Sequence, residues 1–130
     1  MFETADLCDR FGDQVQVINP GLRHFGEVNR FHGEVVTVKV SADFLLVKQA
    51  LSRPAKSHVL VVDGNASQDY ALLGDRLAEM AIENEWAGVL INGCIRDAAA
   101  IASLPLGVLA LGTCPRRPDM AGAGETDVTV

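Results

Sequence analysis

The stretch 59–97, VLVVDGNASQDYALLGDRLAEMAIENEWAGVLINGCIRD, constrains the fold more than any other part of this chain. Val59, Leu60, Val61 and Val62 form an unbroken apolar, mostly β-branched run that stops at Asp63-Gly64, as a strand buried on both faces would. Leu77, Met80, Ala81 and Asn84 then recur at helical spacing, with Glu79, Glu83 and Glu85 off that stripe, until Gly88 marks an end. Val89, Leu90 and Ile91 supply a second buried strand, closed by Asn92-Gly93. Such a strand–helix–strand unit is right-handed and its strands are parallel. Both strands then end on one edge of the sheet, the edge at which open α/β sheets bind ligands.

Two segments meet at that edge. Asp75 has the position of an N-cap, which leaves the amides of Arg76, Leu77 and Ala78 without helical acceptors. Free amides and the positive end of the helix macrodipole attract a small anion. Beyond the second strand, Arg96 offers a planar fork of donors suited to a carboxylate or enolate. Asp97 offers hard oxygen for Mg²⁺ or Mn²⁺. Spacing alone favours a plainer assignment, a cap at Asp75 and a surface ion pair at Arg96-Asp97.

The motif as a whole shifts that balance. Leu73-Gly74-Asp75, then twenty residues, then Arg96-Asp97 resembles the D-x20-R-D signature of class II pyruvate aldolases in the RraA-like family, which is named after the regulator of ribonuclease activity A. The resemblance extends to Thr4-Ala5-Asp6-Leu7-Cys8-Asp9, to Phe31-His32-Gly33 with Val36-Thr37-Val38, and to Leu111-Gly112-Thr113 and Gly122-Ala123-Gly124-Glu125. It implies an α/β fold, a swivelling β/β/α domain with a central parallel βαβαβ unit, assembled as a homotrimer or a dimer of trimers. It implies that the backbone at Gly74, Asp75, Arg76 and Leu77 holds the pyruvyl end of a 2-oxo acid. By the same resemblance Arg96 binds and polarises that substrate, and Asp97 holds a divalent cation, Mg²⁺ or Mn²⁺. The implied chemistry is cleavage of 4-hydroxy-4-methyl-2-oxoglutarate to two pyruvates, with decarboxylation of oxaloacetate at the same site. Inhibition of ribonuclease E is the implied alternative, and the aspartate at 97, which the namesake type lacks, favours the enzyme. A menaquinone methyltransferase, an older label within the family, finds no support in a G-x-G-type nucleotide loop. The family pattern continues into a further hairpin, so a strand from Val128 is expected to lack its partner.

The remaining bounds are broad. At 130 residues the chain is expected to form one domain, residues 1–130, with a core built from Val, Leu, Ile and Ala, since only 5% is aromatic. A formal charge of −6 argues against a nucleic-acid surface. No run reaches the length of a membrane span and no signal pattern opens the chain, so a cytoplasmic protein is expected. Cys8, Cys94 and Cys114 give neither a disulfide framework nor a zinc knuckle, and Cys94 reads as a buried small hydrophobe. His24, His32 and His58 show no metal-ligand spacing.

Elsewhere the pattern predicts a helix over 4–11 capped by Thr4 and stopped by Gly12, and an extended piece over 14–18 before the turn Asn19-Pro20-Gly21. Irregular chain or an edge hairpin is expected over 23–33, then a strand over 34–40 with Val36, Val38 and Val40 on one face. Asp43 is expected to open a helix to residue 51, buried through Leu45, Leu46 and Ala50. A short helix over 98–104 and a strand over 108–111 follow. Pro115-Arg116-Arg117-Pro118-Asp119 reads as a solvated basic loop, which the resemblance places near subunit contacts.

Overall fold

The structure, a computed structural model, describes residues 2–130. Four parallel strands form its centre: β2 (Val35–Val40), β3 (Val59–Ala71), β4 (Gly88–Ile95) and β5 (Gly107–Thr113). Helices α2 (Leu45–Leu51), α3 (Asp75–Glu83) and α4 (Ala98–Ile101) make the three crossovers, so the expected βαβαβ unit is present and longer by one helix and one strand. Two short antiparallel strands close the sheet, β1 (Arg23–His24) against β5 and β6 (Gly124–Thr126) against β2. The strand order is β1-β5-β4-β3-β2-β6. Helix α1 (Thr4–Phe11) precedes the sheet and buries none of its residues.

The core follows from the apolar runs. Leu60 and Val62 of β3, Val89 and Ile91 of β4, Val108 and Ala110 of β5 and Val38 of β2 are all essentially inaccessible. Each such aliphatic side chain contributes about 1.5–3 kcal/mol when fully buried. Ala78 and Ala81 are the residues α3 presses on the sheet, while Leu77, Met80 and Asn84 are only half-buried. The expected stripe was therefore rotated. Two alanines let the helix lie close, and Asn84 Nδ2 instead donates to Leu51 O at the end of α2. Helix α2 buries Val47, Ala50 and Leu51, while Leu45 and Leu46 are half-buried.

Phe31 fits a slot of similar origin. Gly88 and Gly107 are register partners on β4 and β5, and a Cβ on either would occupy the space of the Phe31 ring. Gly88 therefore belongs to a strand and does not end α3, whose chain turns out through Asn84 and a left-handed Glu85.

Several local expectations are corrected. Thr4 is the first residue of α1; the cap position is Glu3, and no side chain caps it. Gln14 ends a 3-10 turn, Gly12–Gln14, and residues 15–18 are unpaired chain. The C-terminal strand is Gly124–Thr126; beyond it Asp127 N and the Val128 carbonyl still bond to Thr37 without forming a strand.

Strand β3 does not stop at Asp63-Gly64. Asp63 Oδ1 accepts from Asn65 N at 2.9 Å and from Asn92 Nδ2 at 3.0 Å, and Asn65 and Ala66 turn left-handed. That turn is a bulge: Asp63 faces Asn92, Ser67 faces Gly93 and Ala71 faces Cys94, so β3 twice spends four residues where β4 spends one. The turn signal was real, but pairing resumes after it.

Candidate active site

The site forms where β3 and β4 run out together. Leu72 N donates to Cys94 O and Arg96 N donates to Leu73 O, both at 2.9 Å, so the two segments stay paired to the edge and part at Gly74 and Asp97. Asp97 adopts a left-handed backbone, φ 58°, which a short polar side chain tolerates better than most. The turn sends its carboxylate back across the gap, where Oδ2 accepts from Asp75 N at 3.1 Å. Asp75 is thus the first residue of α3 and not its cap. Gly74 holds the cap position with no side chain to offer, and Asp97 takes the first free amide from across the gap. A Cβ on Gly74 would stand 2.9 Å from Asp97 Oδ2 and 3.3 Å from Arg96 Nε. Glycine at 74 is what lets the two segments close.

All six residues singled out from the sequence, Gly74, Asp75, Arg76, Leu77, Arg96 and Asp97, line one cleft of about 540 Å³. Among the described residues the amides of Arg76 and Leu77 find no protein acceptor and remain available at the positive end of α3. The cleft also gathers residues that the sequence did not single out: Phe44 and Lys48 from the start of α2, and Arg117 from the loop after β5. Its charged lining comprises Lys48, Arg76, Arg96 and Arg117 against Asp75 and Asp97. In a chain of net charge −6, such a local cationic excess suits an anionic ligand.

The loop expected to be solvated is exposed at all but Pro118, and its backbone is pinned as well. Pro118 is buried, Arg116 O accepts from Ala71 N at 2.8 Å, and the Arg117 guanidinium carbon lies 5.0 Å from the centre of the Phe44 ring. Asp119 exchanges backbone bonds with the other side, accepting from Phe44 N and donating to Ala42 O. The signal for these residues was available in the topology. Every parallel strand ends at the same edge, so the segments after β2 and β5 belong there as surely as those after β3 and β4.

The donor set bears on a metal. Among the described residues no three His, Cys, Asp or Glu side chains gather as a metal cage, and the cleft's carboxylates are Asp75 and Asp97. One oxygen of Asp97 meets an amide while the side chain remains exposed. A single hard carboxylate fits Mg²⁺ or Mn²⁺, ions that keep waters and take other ligands from the substrate, and does not fit a closed zinc site. Cys94 lies buried behind the edge, and burial pushes its thiol pKa up, so it packs as a small hydrophobe.

Comparison with known proteins identifies the family and the fold. The family profile described as "RraA-like: Aldolase/RraA" matches residues 4–130. A protein of Alkalilimnicola ehrlichii named "Putative 4-hydroxy-4-methyl-2-oxoglutarate aldolase" is 51% identical over 98% of this chain and 79% of its own length. A Bacillus anthracis protein of the same name is 44% identical over 100% of this chain and 82% of its own. The crystal structure of a protein described as an S-adenosylmethionine:2-dimethylmenaquinone methyltransferase from Geobacillus kaustophilus HTA426 superposes with a TM-score of 0.96 at 47% identity, covering 99% of this chain and 80% of that one. The RNA-processing inhibitor RraA from Thermus thermophilis gives a TM-score of 0.97 at 37% identity, covering 100% and 79%. A chain matched along nearly all its length by sequence and by structure, with a cleft built from the residues its motif marks, belongs to the RraA-like family.

Proposed function

We propose that this protein is a divalent-metal-dependent carbon–carbon lyase that cleaves 4-hydroxy-4-methyl-2-oxoglutarate to two pyruvates and decarboxylates oxaloacetate. The observation that carries the reading is the convergence of the α3 amides, Arg96 and an open carboxylate at Asp97 on one cationic cleft. The names of relatives 44–51% identical to this chain support the aldolase assignment.

Both reactions leave negative charge on the keto oxygen of a pyruvyl fragment when a carbon–carbon bond breaks. The amides of Arg76 and Leu77 would hold the substrate's 1-carboxylate, since they point outward from the helix start. Arg96 would donate to the keto oxygen, a preorganised donor whose interaction strengthens as charge develops there. Asp97, with an oxygen fixed by Asp75 N, would hold Mg²⁺ or Mn²⁺. The ion would supply Lewis-acid polarisation of the same oxygen. We include assembly as a homotrimer in the proposal, supported by the exposed apolar residues Phe11, Val17 and Ile18 near the N-terminus.

The test is pyruvate release from both substrates by purified protein, with chelator and after restoring Mg²⁺ or Mn²⁺. Activity is expected only with the ion. Because Lys48 lines the cleft, borohydride trapping with pyruvate is the companion experiment. A trapped adduct, or turnover that survives exhaustive chelation, would replace this mechanism with a Schiff base at lysine.

A second reading, an inhibitor that binds ribonuclease E, draws support from the 37% identity to the Thermus RNA-processing inhibitor. Co-purification with the nuclease, measured beside the pyruvate assay, separates the two.

A further inference from the structure

The cleft holds more positive charge than one carboxylate and one keto oxygen require. Arg96 and the α3 amides serve the pyruvyl end, and Arg117 stands apart from them on a different element. We propose that Arg117 is a specificity-determining residue that binds the second, distal carboxylate of the substrate, so that the cleft selects 2-oxo dicarboxylates over 2-oxo monocarboxylates. This rests on the reading of the cleft given above and adds to it the residue that reads the far end of the ligand.

Three observations carry it. The first is placement: Arg117 lines the same cleft as Arg96 and Asp97 but arrives from the loop after β5, not from the β3–α3 or β4–α4 turns. The second is preorganisation. The Arg117 guanidinium carbon is 5.0 Å from the Phe44 ring centre, and Phe44 itself is only 8% exposed. The loop around it is tied down on both sides, by Ala71 N on Arg116 O at 2.8 Å and by Phe44 N on Asp119 O at 3.0 Å. Beyond that, Asp43 is 1% exposed and accepts from Ala121 N and Gly122 N, clamping the end of the same loop. A guanidinium held in this way loses little further freedom on meeting a carboxylate, and its fork binds both oxygens at once.

The third observation is the contrast with Lys48, the other cation on that wall. Lys48 and Arg117 are both exposed and neither has an ion-pair partner among the described residues, but only Arg117 rests on an aromatic ring. The long flexible stem of Lys48 would be ordered at an entropic cost on binding. The Phe44 ring and the tied backbone on either side leave Arg117 less of that cost to meet, and so it and not Lys48 is assigned the distal carboxylate.

2-Oxoglutarate and pyruvate separate the two ends of the cleft by binding alone. 2-Oxoglutarate carries a distal carboxylate but has no 4-hydroxyl and cannot undergo the retro-aldol step; pyruvate offers only the near end. Both are titrated calorimetrically in Mg²⁺ into the parent, Arg117→Gln, Lys48→Gln and Arg96→Gln. The parent is expected to prefer 2-oxoglutarate, and Arg117→Gln to bind it about ten- to a hundredfold more weakly while binding pyruvate within about twofold of the parent. Lys48→Gln should keep the preference, and Arg96→Gln should weaken both ligands. Arg117→Gln losing both ligands equally, or keeping the preference, overturns the assignment, as does a preference that disappears in Lys48→Gln instead. A parent that binds pyruvate but shows no preference overturns the distal subsite alone. A parent that binds neither ligand overturns the reading of the cleft and the subsite with it. Arg117 is exposed, so its replacement opens no core cavity; unchanged thermal unfolding of Arg117→Gln checks this.

Discussion

Asp43 and Asp97 are the same chemical group in nearly the same local setting, a carboxylate in the turn that follows a parallel strand and precedes a helix. Each accepts from the first amide of that edge's helix, Leu45 N for Asp43 and Asp75 N for Asp97. There the likeness ends. Asp43 is 1% exposed and also takes the amides of Ala121 and Gly122, so both of its oxygens are occupied. Burial pushes its pKa up, but the amides of Leu45, Ala121, Gly122 and Ala123 together outweigh burial and hold it below the usual carboxylate value. Asp97 is exposed and meets one amide. What separates the saturated carboxylate from the open one here is how many of its lone pairs the protein has already used.

The sharpest way to break that comparison is at the open carboxylate and its neighbour. Asp97→Asn keeps an oxygen for Asp75 N but removes the charge, so metal affinity and turnover should fall together, turnover by at least about 10²-fold. Arg96→Ala should lose about 10²–10³ in turnover while calorimetric metal affinity stays near the parent's. If Asp97→Asn binds the ion as tightly as the parent, Asp97 belongs with Asp43 as a structural group.

The saturated carboxylate should show the opposite profile. Asp43→Ala strands the amides of Leu45, Ala121 and Gly122 and should cost about 2–3 kcal/mol in urea unfolding, with metal affinity at Asp97 unchanged in the folded protein. A loss under about 0.5 kcal/mol would mean that water replaces those bonds freely.

Smaller again is the effect of closing the gap between the two active-site turns. Gly74→Ala places a methyl 2.9 Å from Asp97 Oδ2, and the carboxylate must give way. A stability loss of about 1 kcal/mol is expected, with weaker metal binding by calorimetry. The same substitution leaving metal affinity untouched would show that Asp97 does not depend on the close approach.

The gentlest probe is pH. Asp43 has a folded-state pKa below its ordinary value of 3.8, so its stabilising contribution is present above that value and drains away as pH falls through the folded pKa. The stability gap between parent and Asp43→Asn should therefore stay constant at neutral pH and narrow only below 3.8. A gap that narrows at higher pH would put the folded pKa on the wrong side of the unfolded one.

The two carboxylates also mark what could be read in the sequence. The placement of Asp97 beside Gly74 was legible because its partners are local in topology: an apolar run, a helix and a second apolar run fix where Gly74 and Arg96 must meet. Asp43 was legible as the opening of α2, whose first amide it accepts, but its second role was not, because Ala121 and Gly122 lie 78 and 79 residues away, beyond any periodic pattern. Arg117 was missed for a related reason. Nothing in Pro115-Arg116-Arg117-Pro118 distinguishes a pinned loop from a solvated one until Phe44 and Ala71 are seen beneath it. The buried face of α3 was only partly judged: Ala81 was on the expected stripe, but Ala78 was not, because alanine carries little hydrophobic signal although both permit close packing. Hydrophobic pattern reports which residues want to leave water, not which are small enough to be approached.

Strand β3 carries one further consequence. It advances from Asp63 to Ala71 while β4 advances only from Asn92 to Cys94, and the surplus stands outside the ladder at Asn65, Ala66, Gln68 and Asp69, all exposed. The phase of the chain is reset twice over that interval, so what arrives at Leu72 and Gly74 is governed by the Ala71–Cys94 pairing and not by the number of residues spent before it. The interval behaves as slack in a line moored at both ends. A label or a short peptide spliced between Asn65 and Ala66 would lengthen the slack and leave the Ser67–Gly93 pairing, both moorings, and the cleft tied to the second, where they are.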